Sequence, residues 1–479
     1  MFGIESMFEG FFSTLIGLLY LLMVLTTIVV VILDNRNPVK TLSWVLILTF
    51  LPFVGLVFYY FFGRDVRKER LIGKKGYVHF LKHPMEEFQQ QQSFTSLDEQ
   101  HQAMRFFYNV NHALPFGGND MTIYTTGKDM VHALLEAIAM AKHHIHMEFY
   151  IFEDDEVGNK VRDALIKKAK EGVEVRFIYD DVGCWKLPNQ FVETMRGEGI
   201  ETRGFLKVRF PILTSKVNYR NHRKITVIDG CVGFVGGMNI AQRYVDGVSW
   251  GNWCDVHLRV KGKAVYGLQT AFLTDWYAVD RSLITSSVYF PEMPAYGDAV
   301  MQMVTSDPVG RWRDIMQGLL VVITNARKYL YIQTPYLLPT EPILWALKTA
   351  ALAGVDVRIM IPARADSKIT HLGSLSYLAE LMEAGIKINL YEKGFLHSKL
   401  WVCDDMLSTV GSSNVDFRSF EHNFEVNAFM YDSRSALALK EVFLNDQKDA
   451  VLLTPKLWKQ RPWYQKVQES VIRLFAPLL

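Results

Sequence analysis

The chain has 479 residues, 49% of them hydrophobic and 13% aromatic, with a mean hydropathy of +0.07; this excludes a disordered or low-complexity protein and implies one large or two medium folded domains. Fifty-two basic residues against 50 acidic leave a formal charge of +2, so there is no overall basic field for nucleic acid, and a polyanion must meet a local basic patch. Cys184, Cys231, Cys254 and Cys403 are scattered without a C-x-x-C pair, which argues against a disulfide scaffold or zinc site and for reduced thiols in a cytoplasmic setting.

Two uncharged apolar stretches come first, Gly10 to Leu33 and Thr41 to Phe62. Each is long enough to cross a hydrocarbon core of about 30 Å. The polar turn Asp34-Asn35-Arg36-Asn37-Pro38 between them predicts an antiparallel transmembrane hairpin over residues 1–63. A pair of buried core helices is the competing reading, but neither stretch has a polar face. Glu5 and Glu9 ahead of the first stretch argue against a signal peptide. Six basic residues between Arg64 and Lys75 face only Asp65 and Glu69. The positive-inside rule therefore places the long C-terminal portion in the cytoplasm, with the cluster against anionic lipid and Phe58 to Phe62 as an interfacial aromatic belt. Residues 64–118 read as a basic juxtamembrane segment and linker with some helix.

From about residue 119 helix and strand signals alternate, and one set occurs twice. Met130 to Ala141 reads as an amphipathic helix, His144 to Phe152 as a strand, Val161 to Lys170 as a helix and Gly172 to Asp180 as a strand. The second half repeats this with the helix Ile315 to Ala326, the strand Tyr329 to Gln333, a helix through Leu344 to Leu352 and the strand Gly354 to Ile361. The pattern predicts two similar α/β lobes, 119–285 and 286–479, with mixed, mostly parallel sheets covered by helices.

Each half closes on one constellation: His222-x-Lys224-x4-Asp229 and His397-x-Lys399-x4-Asp404. His397 follows His222 by 175 residues (397 − 222), and the same offset relates Gly236 to Gly411 and Asn239 to Asn414. Composition alone would give roughly 0.04 such motifs per chain, so two in register are not coincidence. Lys224 to Ile228 and Lys399 to Val402 read as strands, where residues two apart share a face, so His and Lys point together. An ammonium beside an imidazole suits a phosphate ester: the cation neutralises non-bridging oxygens while the imidazole attacks phosphorus or exchanges a proton with a bridging oxygen. One motif alone would more often be a solvated edge-strand pair; the duplication argues otherwise.

Here the sequence resembles the phospholipase D superfamily, over most of residues 119–440, and within it the bacterial cardiolipin synthases. The closer likeness adds the N-terminal hairpin, Asn111-His-Ala-Leu-Pro-Phe, Tyr329-Leu-Tyr-Ile-Gln-Thr-Pro-Tyr336, Gly411-Ser-Ser-Asn-Val-Asp-Phe-Arg-Ser419 and Asn423-Phe-Glu425. The resemblance implies a pseudo-twofold arrangement with both motifs at one cleft, and metal-independent chemistry through a phosphohistidine, without a cofactor. By that analogy His222 is the nucleophile and His397 the general acid and base, although the lobes are alike enough for these roles to be exchanged. Lys224 and Lys399 bind the phosphate, aided by Asn239, Asn414 and Ser412. Gly237 stands where the second half has Ser412, and a backbone N–H is expected to substitute there. Asp255 and Glu425 match the family's histidine-orienting carboxylates, Asp255 in the looser alignment. Asp229 and Asp404 are expected to fix the motif backbone. The implied reaction is phosphatidyl transfer between two phosphatidylglycerol molecules at the cell membrane, giving cardiolipin and glycerol. Water as acceptor would instead make a hydrolytic phospholipase D or a phosphodiesterase.

Three flanking features are ambiguous. Lys207 to Leu213 mixes basic and apolar residues as either a membrane-facing mouth or a buried loop. Trp463 to Leu479 places Val467, Val471, Leu474, Phe475 and Leu478 at helical spacing, for the membrane interface or for packing against the lobes. His144 and His146 share a strand face with Glu148; they suit a cleft lining better than a zinc site.

Overall fold

The computed structural model describes residues 2–33, 38–59, 102–208 and 218–479. The basic cluster Arg64 to Lys75, Tyr60 to Phe62 of the aromatic belt and Arg209 to Leu213 lie outside the described residues. The N-terminal helices belong to one unit, and residues 102–208 and 219–479 to a second.

In the N-terminal unit the first apolar stretch is one helix, α1 (Phe2–Leu33), whose segment Thr14–Leu33 is long and apolar enough to span a bilayer. The second stretch departs from expectation. Its helix breaks into α2 (Pro38–Phe50) and α3 (Pro52–Phe58) at Leu51, whose φ of −131° is not helical. Pro52 is the cause: it has no N–H to donate, and its ring disfavours a helical residue before it. The Leu51 N–H still reaches Ile47 O at 2.8 Å. Tyr20 of α1 stacks on Phe53 of α3 with ring centroids 4.3 Å apart.

The second unit is organised around one continuous 16-stranded sheet. In its first half Pro115–Tyr124 pairs with His257–Lys261, followed in order by Val232–Gly236, Lys224–Ile228, His144–Phe149, Glu174–Asp180 and Glu201–Phe205. Across the junction Ala299–Ser306 pairs with Pro115–Tyr124, and then come Asn423–Met430, Leu407–Gly411, Leu400–Cys403, Tyr329–Gln333, Asp356–Pro362, Lys387–Tyr391 and Ala450–Leu453. The sheet is mixed, as expected, but not mostly parallel. Along this order parallel ladders join only the three strands linked through helices in each half and every other neighbour is antiparallel; the sixteenth strand, Arg220–Asn221, lies off the order and runs parallel to Asn423–Met430. Parallel neighbours need a long crossover, whereas each motif strand returns through a tight hairpin.

Apolar cores lie against both sheet faces. Gly127–Met140, Glu156–Lys170 and Asn189–Gly197 cover the first half. Asp314–Asn325 and Glu341–Leu352 cover the second. The helix Gln102–Asn111, N-terminal to the first strand, packs into the second half's core: Phe107 sits 4.4 Å from Phe429, and a side chain at Gly318 would overlap the Phe107 ring. Between the halves, Val265–Asp280 and Ser433–Gln447 pack on a shared core.

Candidate active site

Each histidine is positioned by the opposite half of the chain. Arg220–Asn221, just before His222, forms a short parallel pair with Asn423–Phe424, and the His222 N–H donates to Phe424 O at 2.9 Å. Gly394–Leu396, just before His397, pairs in parallel with Asn252–Cys254, and the His397 N–H donates to Cys254 O at 2.7 Å. The residue after each accepting carbonyl is a carboxylate. His222 Nδ1 therefore lies 3.0 Å from Glu425 Oε2, and His397 Nδ1 lies 2.6 Å from Asp255 Oδ2. The carboxylates are thus exchanged between halves, each orienting the histidine it does not follow in sequence.

Both lysines are buried, and each Nζ donates to the carbonyl of its own motif histidine, Lys224 at 2.5 Å. Burial lowers Lys224 to about 7 and Lys399 to about 8. Burial also lowers His222 to about 4; Glu425 opposes this, and Lys224 and Lys399 add to it. His397 is held well below its ordinary range by burial, then by Lys399, Lys224 and His222. Each lysine's charge thus reaches the other half's histidine, which puts the four groups in one electrostatic site. The orienting carboxylates differ. Burial raises Asp255 to about 6. For Glu425, burial is outweighed by His222, Lys224 and Ser412, which together hold it below the usual carboxylate range. At neutral pH the His222 ring is therefore a neutral imidazole whose Nδ1–H faces an ionised carboxylate, leaving the Nε2 lone pair for chemistry.

The accessory residues divide. The Ser412 hydroxyl donates to Glu425 and accepts from the Val426 N–H at 2.9 Å, so it serves the orienting carboxylate. The Gly237 N–H, expected to substitute for that hydroxyl, donates to Val256 O at 2.9 Å and is spent within the sheet. Glycine is required there for space: a Cβ would lie 2.1 Å from Asp255 Oδ1. Asn239 accepts from the Ile151 N–H at 3.0 Å and donates to Tyr244 OH at 2.5 Å, and Asn414 donates to Asp416 at 3.1 Å. Each side-chain amide carries a second N–H besides the one donated in that bond.

Asp229 and Asp404 hold the backbone leading into a neighbouring strand, not that of the motif itself. Asp229 accepts from the N–H groups of Lys142, His143 and His144 at 2.8–3.0 Å. Asp404 does the same for Arg327, Lys328 and Tyr329 at 2.7–2.8 Å. Both adopt left-handed φ, 52° and 54°, at the hairpin after the motif strand.

His144 and His146 do not line the site. They bond Gln269 at 3.1 and 2.7 Å, because the helix Val265–Asp280 covers that face of their strand. Glu148 instead accepts from Asn221, beside His222. Among the described residues no group of three or more His, Cys, Asp or Glu side chains is placed to hold a metal ion.

The structure adds residues that motif reasoning did not reach. Arg223 pairs with buried Asp275 and donates to Glu425 O at 3.1 Å, bracing the carboxylate that holds His222. Its counterpart in the second motif is Ser398, so the only sequence trace was the unequal middle residue of two otherwise matched motifs. Tyr150 packs edge-on against His222 at 4.8 Å, and Trp253 lies 5.3 Å from His397. Isolated aromatic residues in strands and loops carry no motif signal.

Two carboxylate-oriented imidazoles sharing a site with two buried lysines are the groups of an enzyme that transfers a phosphoester. The family model described as "Cardiolipin synthase, PLD-like domain" matches residues 134–276 and 319–447, and "Phospholipase_D-nuclease N-terminal" matches residues 21–64. A cardiolipin synthase of Alkalihalophilus pseudofirmus is 41% identical, covering 98% of this chain and 95% of that protein. The major cardiolipin synthase ClsA of Bacillus subtilis is 37% identical, covering 98% and 99%. The fold is shared with a phosphatidylserine synthase of Haemophilus influenzae at a TM-score of 0.60 and 16% identity, covering 78% of this chain and 97% of that one. This chain belongs to the bacterial cardiolipin synthase family of the phospholipase D superfamily.

Proposed function

We propose that the chain is a membrane-bound phosphatidyltransferase that condenses two phosphatidylglycerol molecules to cardiolipin and glycerol. The observation that carries this is the reciprocal histidine–carboxylate pairing over two buried lysines, in a chain that aligns over nearly its whole length with cardiolipin synthases. His222 Nε2 attacks phosphorus of the first phosphatidylglycerol, the P–O bond to the head-group glycerol breaks, and His397 protonates the departing oxygen. The product is a phosphatidyl-histidine. His397, now neutral, takes the proton from the terminal hydroxyl of the second phosphatidylglycerol, whose oxygen attacks phosphorus and frees His222. Lys224 and Lys399 neutralise the non-bridging oxygens, with Asn239 and Asn414 as further donors.

The assignment of His222 as nucleophile is supported by its partner: an ionised Glu425 raises the basicity of Nε2 more than the easily protonated Asp255 does for His397. Burial first, and then the lysine charges, keep His397 unprotonated; a phosphodiester anion seated against both lysines offsets the second of these and favours protonation of the acid when substrate binds. The strand order of the two halves and their mutual pairing support a pseudo-twofold relation between lobes 119–285 and 286–479. For the anchor we favour a two-pass hairpin returning through residues 41–62, with the catalytic lobes cytoplasmic, on the strength of the basic residues from Arg64 to Lys75. The test is product analysis. Full-length enzyme in phosphatidylglycerol bilayers releases one glycerol per cardiolipin, and phosphatidic acid as the main product would overturn the reading.

A further inference from the structure

The C-terminal helix Trp463–Leu474 is mounted with its polar face inward. Glu469, 2% exposed, bonds Arg461 at 3.1 Å and Gln465 at 2.9 Å. One turn on, Arg473 donates to Glu380 and to Ser376 O, while Ile472 packs near Gly373. Gln465, Glu469, Ile472 and Ala476 follow helical spacing, so the opposite stripe points away from the protein. That stripe is apolar: Trp463 is 75% and Leu474 78% exposed, with Tyr464, Val467 and Val471 exposed between them and Phe475 exposed just beyond. A soluble surface helix has the reverse arrangement, and a contiguous exposed patch of this kind marks a docking surface. Its charge specifies what docks. Lys456 and Lys459 on the short helix just ahead of it and Lys466 within it are exposed, and the only acidic side chain from Val451 onward is the buried Glu469.

We infer that this helix is a second membrane contact that lies in the interface of an anionic phospholipid surface, its aromatic and aliphatic stripe among the acyl chains and its lysines at the head groups. The inference deepens the proposed function: the same anionic lipid that serves as substrate would hold the catalytic unit. Trp463 and Tyr464 suit the boundary because an aromatic body with a polar tip is at ease between hydrocarbon and water. A second copy of the chain would also cover an apolar stripe, but its own three lysines would then face each other.

The test places an environment-sensitive fluorophore on Val467→Cys in the full-length enzyme, with identically treated wild-type protein as the background. The protein is reconstituted into phosphatidylglycerol-containing or purely zwitterionic phosphatidylcholine vesicles carrying acyl-chain quencher lipids. Blue-shifted emission with strong quenching is expected in the anionic vesicles and less in the zwitterionic ones. Replacing Lys456, Lys459 and Lys466 together by Gln should reduce the quenching. Water-like emission in anionic vesicles that still make cardiolipin would overturn the docking surface and leave the reaction untouched. Blue-shifted emission that lipid quenchers do not reach would point to a second copy and equally overturn it. Quenching unchanged by lipid charge and by the lysine replacements would overturn the anionic specificity.

Discussion

Replacing Glu425 by Gln removes one charge and almost no volume from the centre of the site. Both carboxylate oxygens of Glu425 already accept: Ser412 donates to Oε2, Asn423 donates to Oε1 at 3.2 Å, and His222 Nδ1 is within 3.1 Å of both. An amide turned either way therefore sets an NH2 group against an existing donor, and it can offer an N–H to His222 Nδ1. The imidazole then takes the other tautomer, with its proton on Nε2, where the reacting lone pair belongs. A charge-assisted hydrogen bond also becomes a neutral one, weaker by about 1 kcal/mol. Together these should cost about 10²- to 10⁴-fold in kcat/KM, or about 3–5 kcal/mol of transition-state stabilisation. Cardiolipin formation from phosphatidylglycerol in proteoliposomes measures the loss, and a thermal melt of the same preparation shows that the fold is intact. Activity within tenfold of wild type, in a folded protein, would refute the idea that Glu425 sets the His222 tautomer.

Other outcomes follow from the same geometry. The kcat/KM profile should begin to fall on the acid side near pH 6 as Asp255, which orients His397, gains a proton, fall further near pH 4 as His222 does, and fall on the alkaline side between pH 7 and 8 as Lys224 and Lys399 lose theirs; a flat profile from pH 6 to 9 would contradict the buried lysines as phosphate ligands. Gly237→Ser, which makes the halves more alike, should reduce turnover by at least about tenfold, because the new side chain displaces Asp255 from His397; improved turnover would show that a hydroxyl donor was missing there. Arg223→Met leaves Asp275 buried without its partner and should destabilise the catalytic unit by about 3–5 kcal/mol in denaturant unfolding, with Arg223→Met/Asp275→Leu recovering part of the loss. Asp404→Ala should cost about 1–3 kcal/mol of stability, because three backbone N–H groups lose their carboxylate acceptor and the φ is strained, with kcat per folded molecule nearly unchanged. Asp404→Asn, which tolerates that φ, should be milder.

The sequence disclosed what repeats locally and missed what forms across the fold. Two H-x-K-x4-D motifs 175 residues apart, with helix–strand patterns around them, are enough to expect two related lobes with phosphate chemistry, whereas their meeting at one site is implied by the family resemblance. The reciprocal pairing that assembles the site was not legible, since two-residue strands such as Arg220–Asn221 have no periodicity and their partners lie about 200 residues away. For the same reason Glu425 and Asp255 could be recognised as orienting groups but not assigned to particular histidines. Residue identity also misled where packing decided: Gly237 looked like a missing donor and is a space for a carboxylate, and His144 with His146 suggested a site but are held by Gln269. Parallel character was overstated because alternating helices and strands conceal how many strands return through hairpins. In the apolar N-terminus, hydropathy described Thr41 to Phe62 as one span, while Pro52 alone divides its helix.

The central claim is that His222 carries the phosphatidyl group between the two lipids. The direct measurement is a mass-spectrometric search for histidine-linked phosphatidate in full-length His397→Ala and His222→Ala enzymes exposed to phosphatidylglycerol and quenched without acid. The adduct is expected on His222 in the His397→Ala enzyme, formed slowly because the departing glycerol lacks its acid and retained because the incoming hydroxyl lacks its base, with none in the His222→Ala enzyme and no cardiolipin turnover in either. An adduct on His397 would reverse the roles, and sustained cardiolipin synthesis by His222→Ala would contradict the covalent mechanism itself.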